Sequence, residues 1–139
     1  MTKPPSIDDF PSRAIDLIRY GDTDRQGHVN NAVFATFFET GRVTFLSDQA
    51  SLPEGTMLVI ARLAIDFRRE LTWPGKVEIG SRVMDVGNRS FTLSQALFQD
   101  GNCAATAESV MVLVDVATRK STPLTEEVLS ALAKWGEGN

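Results

Sequence analysis

The sequence is poor in the residues from which most small-protein sites are built. Its 139 residues hold one cysteine, Cys103, and one histidine, His28. A single cysteine allows no disulfide framework within the chain. With only one histidine beside it, the usual four-ligand structural zinc site is excluded. Cys103 therefore reads as a small hydrophobe near a turn. Positive charge is also scarce: 14 Lys and Arg against 18 Asp and Glu give a formal net charge of -4. That argues against nucleic acid as a partner, because phosphate contacts need many basic side chains on one face. No run reaches the ~18–20 apolar residues of a membrane span. The opening MTKPPSIDDFPSR lacks the apolar core of a signal segment. No Gly-x-Ser-x-Gly elbow is present, so the common serine-hydrolase route lacks its signature. The expectation is a cytoplasmic enzyme or binding protein.

What is present describes an ordinary globular chain, 42% hydrophobic and 23% charged. Its length favours one domain over residues 1–139, with 1–13 as an extended N-terminal tail, and no repeat or linker divides it. AIDLIRY, residues 14–20, suits an opening strand, and 21–30 is a polar, glycine-containing loop. In NAVFATFFETGRVTFLSD, Phe34, Phe37, Phe38, Gly41 and Phe45 fall at helical spacing. Asn30 or Asn31 is a natural N-cap, and Glu39 and Arg42 are spaced to pair on one face. Val33, Val43 and Leu46 make the helix apolar around much of its girth, which predicts that other structure wraps it.

Alternation returns after residue 57. Val59, Ala61, Leu63, Ile65 and Phe67 form one apolar face of a strand. Pro74-Gly75 breaks it. Val77, Ile79 and Val83, then Phe91, Leu93 and Leu97, then Val110, Val112 and Val114 mark three further strands. Turns at Gly87-Asn88 and Asp100-Gly101-Asn102 join them into an antiparallel meander. Thr122-Pro123 opens a last helix with Val128, Leu132 and Trp135 on its apolar stripe. The order implies an α+β fold, with about five strands curled around one long helix.

The chemistry gathers in RYGDTDRQGHVNN, which leads into that helix. The first turn of a helix carries amides without intrahelical partners, at the positive end of its dipole. A carbonyl docked there is polarised, and its developing charge is stabilised. Asp24, a short loop away, can attack such a carbonyl or take a proton from water. His28 is four residues further on, in reach of a water, the substrate or the carboxylate itself. These parts suit thioester hydrolysis: an ordinary carboxylate, pKa about 4, is a weak base, and a thioester expels a good leaving group. Structural readings stand beside these. Asp22 and Asp24 also suit turns, His28 taken alone suits a structural role, Asn30 and Asn31 suit caps, and Arg62, Arg68, Arg69 and Arg89 taken singly suit a solvated surface.

DTDRQGHVNN followed by FFETGR resembles the signature of the hot-dog-fold thioesterases, including the 4-hydroxybenzoyl-CoA thioesterase group and related acyl-CoA and acyl-carrier-protein thioesterases. PGK, GNRSF and VLVDVATRKSTPL extend the resemblance over roughly residues 14–135. It implies a hydrolase with a hot-dog fold, a long central helix wrapped by a curled antiparallel sheet. It implies Asp24 as nucleophile or general base, the Asn31 backbone amide as carbonyl polariser, and His28 as positioner of water or substrate. Gln26 stands where plant-type relatives have asparagine, and Phe34 where a tyrosine is frequent. Gln26, Asn30, Glu39, Arg89 and Ser90 become candidate substrate contacts. Glu39 either faces a site, from the partner subunit in one arrangement, or pairs with Arg42. No cofactor or metal is implied. The expected partners are an acyl-CoA substrate, with acyl-carrier protein as the other carrier, and further copies of the chain in a homodimer or homotetramer with sites at subunit interfaces. The alternatives are a non-catalytic acyl-thioester binder and a hot-dog dehydratase.

Overall fold

The structure, a computed structural model, describes residues 4–49 and 52–136. Five strands and two helices follow one another as β1 (Ser12–Ile18), α1 (Asn31–Gln49), β2 (Thr56–Phe67), β3 (Gly75–Val86), β4 (Ser90–Gln99), β5 (Asn102–Asp115) and α2 (Glu126–Ala133). The strands form one antiparallel sheet in the order β1-β3-β4-β5-β2. The sheet curls around α1, which is the hot-dog arrangement.

The phenylalanine spacing does what it predicts. Phe34, Phe37, Phe38 and Phe45 are all buried against the sheet, with Gly41 between them. Each such ring is worth about 1.5–3 kcal/mol of burial. Their partners are the inward residues of the meander, chiefly Val77, Ile79, Leu93 and Leu97. The girth of α1 is not fully wrapped, however. Val43 remains 60% exposed and Val33 half-buried, because the sheet of one chain covers only one side of the helix.

Four expectations shift. The opening strand lies two residues earlier than 14–20. The segment 1–13 is not wholly an extended tail: Ile7–Asp9 makes a 3-10 turn, and buried Phe10 packs edge-on against Phe98 at 6.1 Å. The last helix begins at Glu126, not at Thr122-Pro123. The Thr122 and Leu124 amides are still tied to the Leu113 and Asn88 carbonyls, and Thr125 supplies the cap through its hydroxyl to the Val128 amide. In β5 the inward face is Ala105, Ala107, Ser109, Met111 and Leu113, so the valines Val110, Val112 and Val114 lie on the outer face.

The apolar face of β2 is also not continuous. A bulge sits between Ile60 and Arg62, leaving Ala61 as the extra residue. Before it Leu58 packs on the core; after it Leu63 and Ile65 do. One inserted residue exchanges the two faces of a strand. Neither Val59 nor Ala61 therefore belongs with Leu63 and Ile65. Among the described residues, no helix is long and apolar enough to cross a membrane.

Candidate active site

The loop from Asp24 to His28 closes on itself. The Asp24 amide donates to the His28 carbonyl at 2.8 Å, and the Gly27 amide to the Asp24 carbonyl at 3.1 Å. Gly27 has φ +83°, a conformation that a side chain disfavours, and it lets the chain return. The Asp24 side chain is held by the same loop. Its Oδ1 accepts the Gln26 amide at 2.8 Å and the His28 amide at 3.2 Å. The turn-forming role and the reactive role are therefore compatible, since the backbone bonds that shape the loop also orient the carboxylate.

Asn30 is the cap of α1. Its side-chain oxygen accepts the Ala32 amide at 2.9 Å, and its carbonyl accepts the Val33 amide at 2.9 Å. That uses the second and third amides of the helix. The first, on Asn31, has no partner among the described residues, and it stands at the positive end of the helix.

Asp24, Gln26, His28 and Asn31 line one cavity of about 390 Å3. Its apolar wall is Val29, Phe34 and Phe67, with the last two rings edge-on at 5.0 Å. Phe34, lacking a tyrosine's hydroxyl, is thus buried wall. The far wall is Arg68, Arg69 and Glu70, just past the end of β2. The sequence pattern singles out neither Val29 nor Glu70, and it assigns the two arginines to the surface. Glu70 lies between a strand end and a turn, where charged residues are common and no spacing marks them.

The other candidates lie elsewhere within one chain. Asn30 caps the helix and does not line the cavity. Glu39 lines a second crevice of about 370 Å3, between α1 and β2, with Arg42, Ile60 and Arg62. Arg42 beside it is buried, and that burial pulls its guanidinium below its ordinary range, while the Glu39 charge pushes back upward. Glu39 therefore acts on Arg42 by charge and is absent from the Asp24 cavity of its own chain. Arg89 and Ser90 sit at the β3–β4 turn. Arg89 donates to the Ser121 carbonyl at 2.6 Å, and the Ser90 carbonyl accepts the Gly87 amide at 2.8 Å. Ser90 starts β4, whereas the cavity lies by the Ala104–Ala105 end of β5, opposite Leu97. At ~3.3 Å per residue the strand separates them by roughly 20 Å. Among the described residues, no group of three or more His, Cys, Asp or Glu side chains could hold a metal ion.

Residues 18–132 match the thioesterase-like superfamily over most of the chain. The chain belongs to that superfamily. It is 28% identical over 113 residues to the uncharacterised protein YsmA of Bacillus subtilis (strain 168), covering 79% of this chain and 77% of that protein. Among solved structures it is similar to the PA5185 protein of Pseudomonas aeruginosa strain PAO1. The TM-score is 0.88 at 26% identity, over 98% of this chain and 99% of the other. A thioesterase from Thermus thermophilus, solved in complex with coenzyme A and zinc, gives a TM-score of 0.83 at 27% identity. That match covers 94% of this thioesterase-like chain and 97% of its relative. Membership and these likenesses support thioester hydrolysis in general terms.

Proposed function

We propose that the protein hydrolyses an acyl-CoA thioester to the free acid and CoA. The observation that carries this reading is the shared cavity of Asp24 and the partnerless Asn31 amide at the head of α1. The acyl carbonyl oxygen points at that amide, and the acyl chain lies along Phe34 and Phe67. Asp24, its Oδ1 already committed to two amides, uses Oδ2. As general base it takes a proton from water, whose oxygen attacks the acyl carbon. The tetrahedral oxyanion is held by the Asn31 amide and the helix dipole. Collapse breaks the carbon–sulfur bond, and the departing thiolate takes the proton back. As nucleophile, Asp24 instead forms a mixed anhydride that water then opens. His28 positions that water in either path. The Thermus thermophilus relative, a thioesterase solved with coenzyme A, favours CoA as the carrier.

The site is completed by a second copy of the chain. β2 is an edge strand that exposes Met57, Ile60 and Phe67, and α1 leaves Val43 exposed. An apolar edge of this kind invites the same edge of another copy. In such a homodimer Glu39, Arg89 and Ser90 reach a cavity other than their own, where Arg89 and Ser90 serve the CoA nucleotide.

The test is Asp24→Asn assayed on straight-chain, branched and aromatic acyl-CoA thioesters with a thiol-capture reagent. Asparagine keeps an oxygen for the Gln26 and His28 amides, so the loop survives. Turnover should fall by about 10²–10⁴-fold, the range for losing a positioned base. Near-parent turnover in Asp24→Asn, on a substrate the parent hydrolyses, overturns the assignment. Binding without thiol release makes the protein a binder, and an enoyl product formed from a 3-hydroxyacyl-CoA included in the panel makes it a dehydratase.

A further inference from the structure

His28 is the chain's only histidine, and its Nε2 lies 3.0 Å from Oε2 of Glu70. The pair is partly open to water, with side chains 32% and 65% exposed, so its value lies in orientation rather than stability. Glu70 is well placed for that task because the backbone next to it is firmly held. Leu71 is fully buried, and its carbonyl accepts the Val29 amide at 2.9 Å. Thr72 bridges to His28. The Gln99 side chain then grips Thr72 on both sides, accepting its amide at 3.0 Å and donating to its carbonyl at 2.8 Å. Gly75 leaves room for that grip: a Cβ there would stand 2.6 Å from Gln99 Nε2. Gln99, Thr72 and Leu71 thus brace the carboxylate and the ring on two joined segments.

A carboxylate only accepts, so the Nε2 facing it carries the hydrogen, and in the neutral ring Nδ1 is then an acceptor. We propose that Glu70 is a positioning residue that locks His28 in the Nε2–H tautomer, so that the ring offers the cavity an acceptor and no donor. This rests on the thioesterase reading for its purpose. The hydrolytic water donates one hydrogen to Nδ1, which turns its oxygen toward the acyl carbon while Asp24 takes the other proton. His28 gains no proton in this step; it fixes the direction of attack. Glu70, although it borders the same cavity, acts on the hydrolytic water only through the ring.

Because there is one histidine, a long-range ¹H–¹⁵N spectrum of its ring reads the tautomer without assignment. The parent, at mildly alkaline pH, should show a single Nε2–H ring. Glu70→Ala should show a mixture of tautomers, and Glu70→Gln, whose side-chain oxygen can still accept from Nε2, should restore the single form. In turnover, Glu70→Ala should lower kcat about tenfold with KM nearly unchanged, at the low end of what losing a ring-orienting partner costs at metal-bound histidines. The same change made in His28→Ala should have no further effect. An Nδ1–H ring in the parent, a ring spectrum indifferent to Glu70→Ala, or losses that simply add would each overturn the assignment. The nitrogen spectrum does not depend on turnover, so a parent that releases no thiol counts against the hydrolase reading alone.

Discussion

Gly41 sits where α1 approaches the sheet closely. A Cβ there would stand 2.5 Å from Ile79 Cγ2, 2.8 Å from Gln95 Nε2 and 3.3 Å from Ser81 Oγ. Ile79 is fully buried and cannot swing aside. Gln95 is buried as well and donates to the Phe38 carbonyl at 3.0 Å and Ser81 Oγ at 2.9 Å. Moving it would strand polar groups inside the core. Alanine would gain about 1 kcal/mol of helix propensity, but overpacking costs about 1–3 kcal/mol. Gly41→Ala should therefore lower unfolding free energy by up to about 2 kcal/mol, measured by denaturant titration. A stabilised variant would mean the sheet yields here. The helical spacing that includes Gly41 is visible in the sequence, since phenylalanines on both sides point the same way. Gln95 is not. It fills an inward slot between Leu93 and Leu97, and no periodicity marks a polar residue as buried. Glu70 escapes for a related reason: its meaning lies in a histidine that is adjacent in space and distant in the chain.

At the scale of elements, the meander was legible because its turns are explicit. Asp100 and Gly101, at φ 51° and 81°, make the tight left-handed turn that their residue types predict. The inward faces of β3 and β4 follow from plain alternation. β2 resists the same reading because Leu58, Val59, Ile60 and Ala61 are apolar on both faces, so nothing in the pattern says where the parity changes. The bulge at Ala61 supplies that change: it lets Leu58 serve one end of the core while Leu63 and Ile65 serve the other. Deleting Ala61 would restore a regular ladder and turn one of these sets outward. Turning Leu63 and Ile65 out should cost about 1.5–3 kcal/mol, half of ~1.5–3 kcal/mol for each because these are only half-buried. Denaturant unfolding of the deletion variant checks it, and unchanged stability would mean that the bulge merely accommodates an extra residue.

The whole molecule is lopsided. α1 packs closely against β1, β3 and β4, while β2 meets it through side chains, Phe67 on Phe34 among them, and leaves the crevice that holds Glu39 and buried Arg42. The parts expected to act together are divided accordingly. Asp24, His28 and Asn31 meet at one end of the helix, whereas Arg89 and Ser90 lie at the far end of the sheet, roughly 20 Å away at ~3.3 Å per strand residue. The loop motif made the first group legible, since loop and helix cap are contiguous in the chain. The second group follows from no contact within one chain, and a second copy is the simplest way to bring it to a site. If edge-to-edge pairing along β2 supplies that copy, a charged side chain in the middle of the edge should prevent it. Ile60, 44% exposed and next to the bulge, is the position to change. Ile60→Lys should convert a dimer to a monomer in size-exclusion chromatography with light scattering, because an edge lysine opposes strand addition. It should lose thiol release in proportion, with the monomer's fold intact by circular dichroism. A parent that is monomeric at assay concentration and still turns over would make the single-chain cavity sufficient, and would remove Arg89, Ser90 and Glu39 from the site.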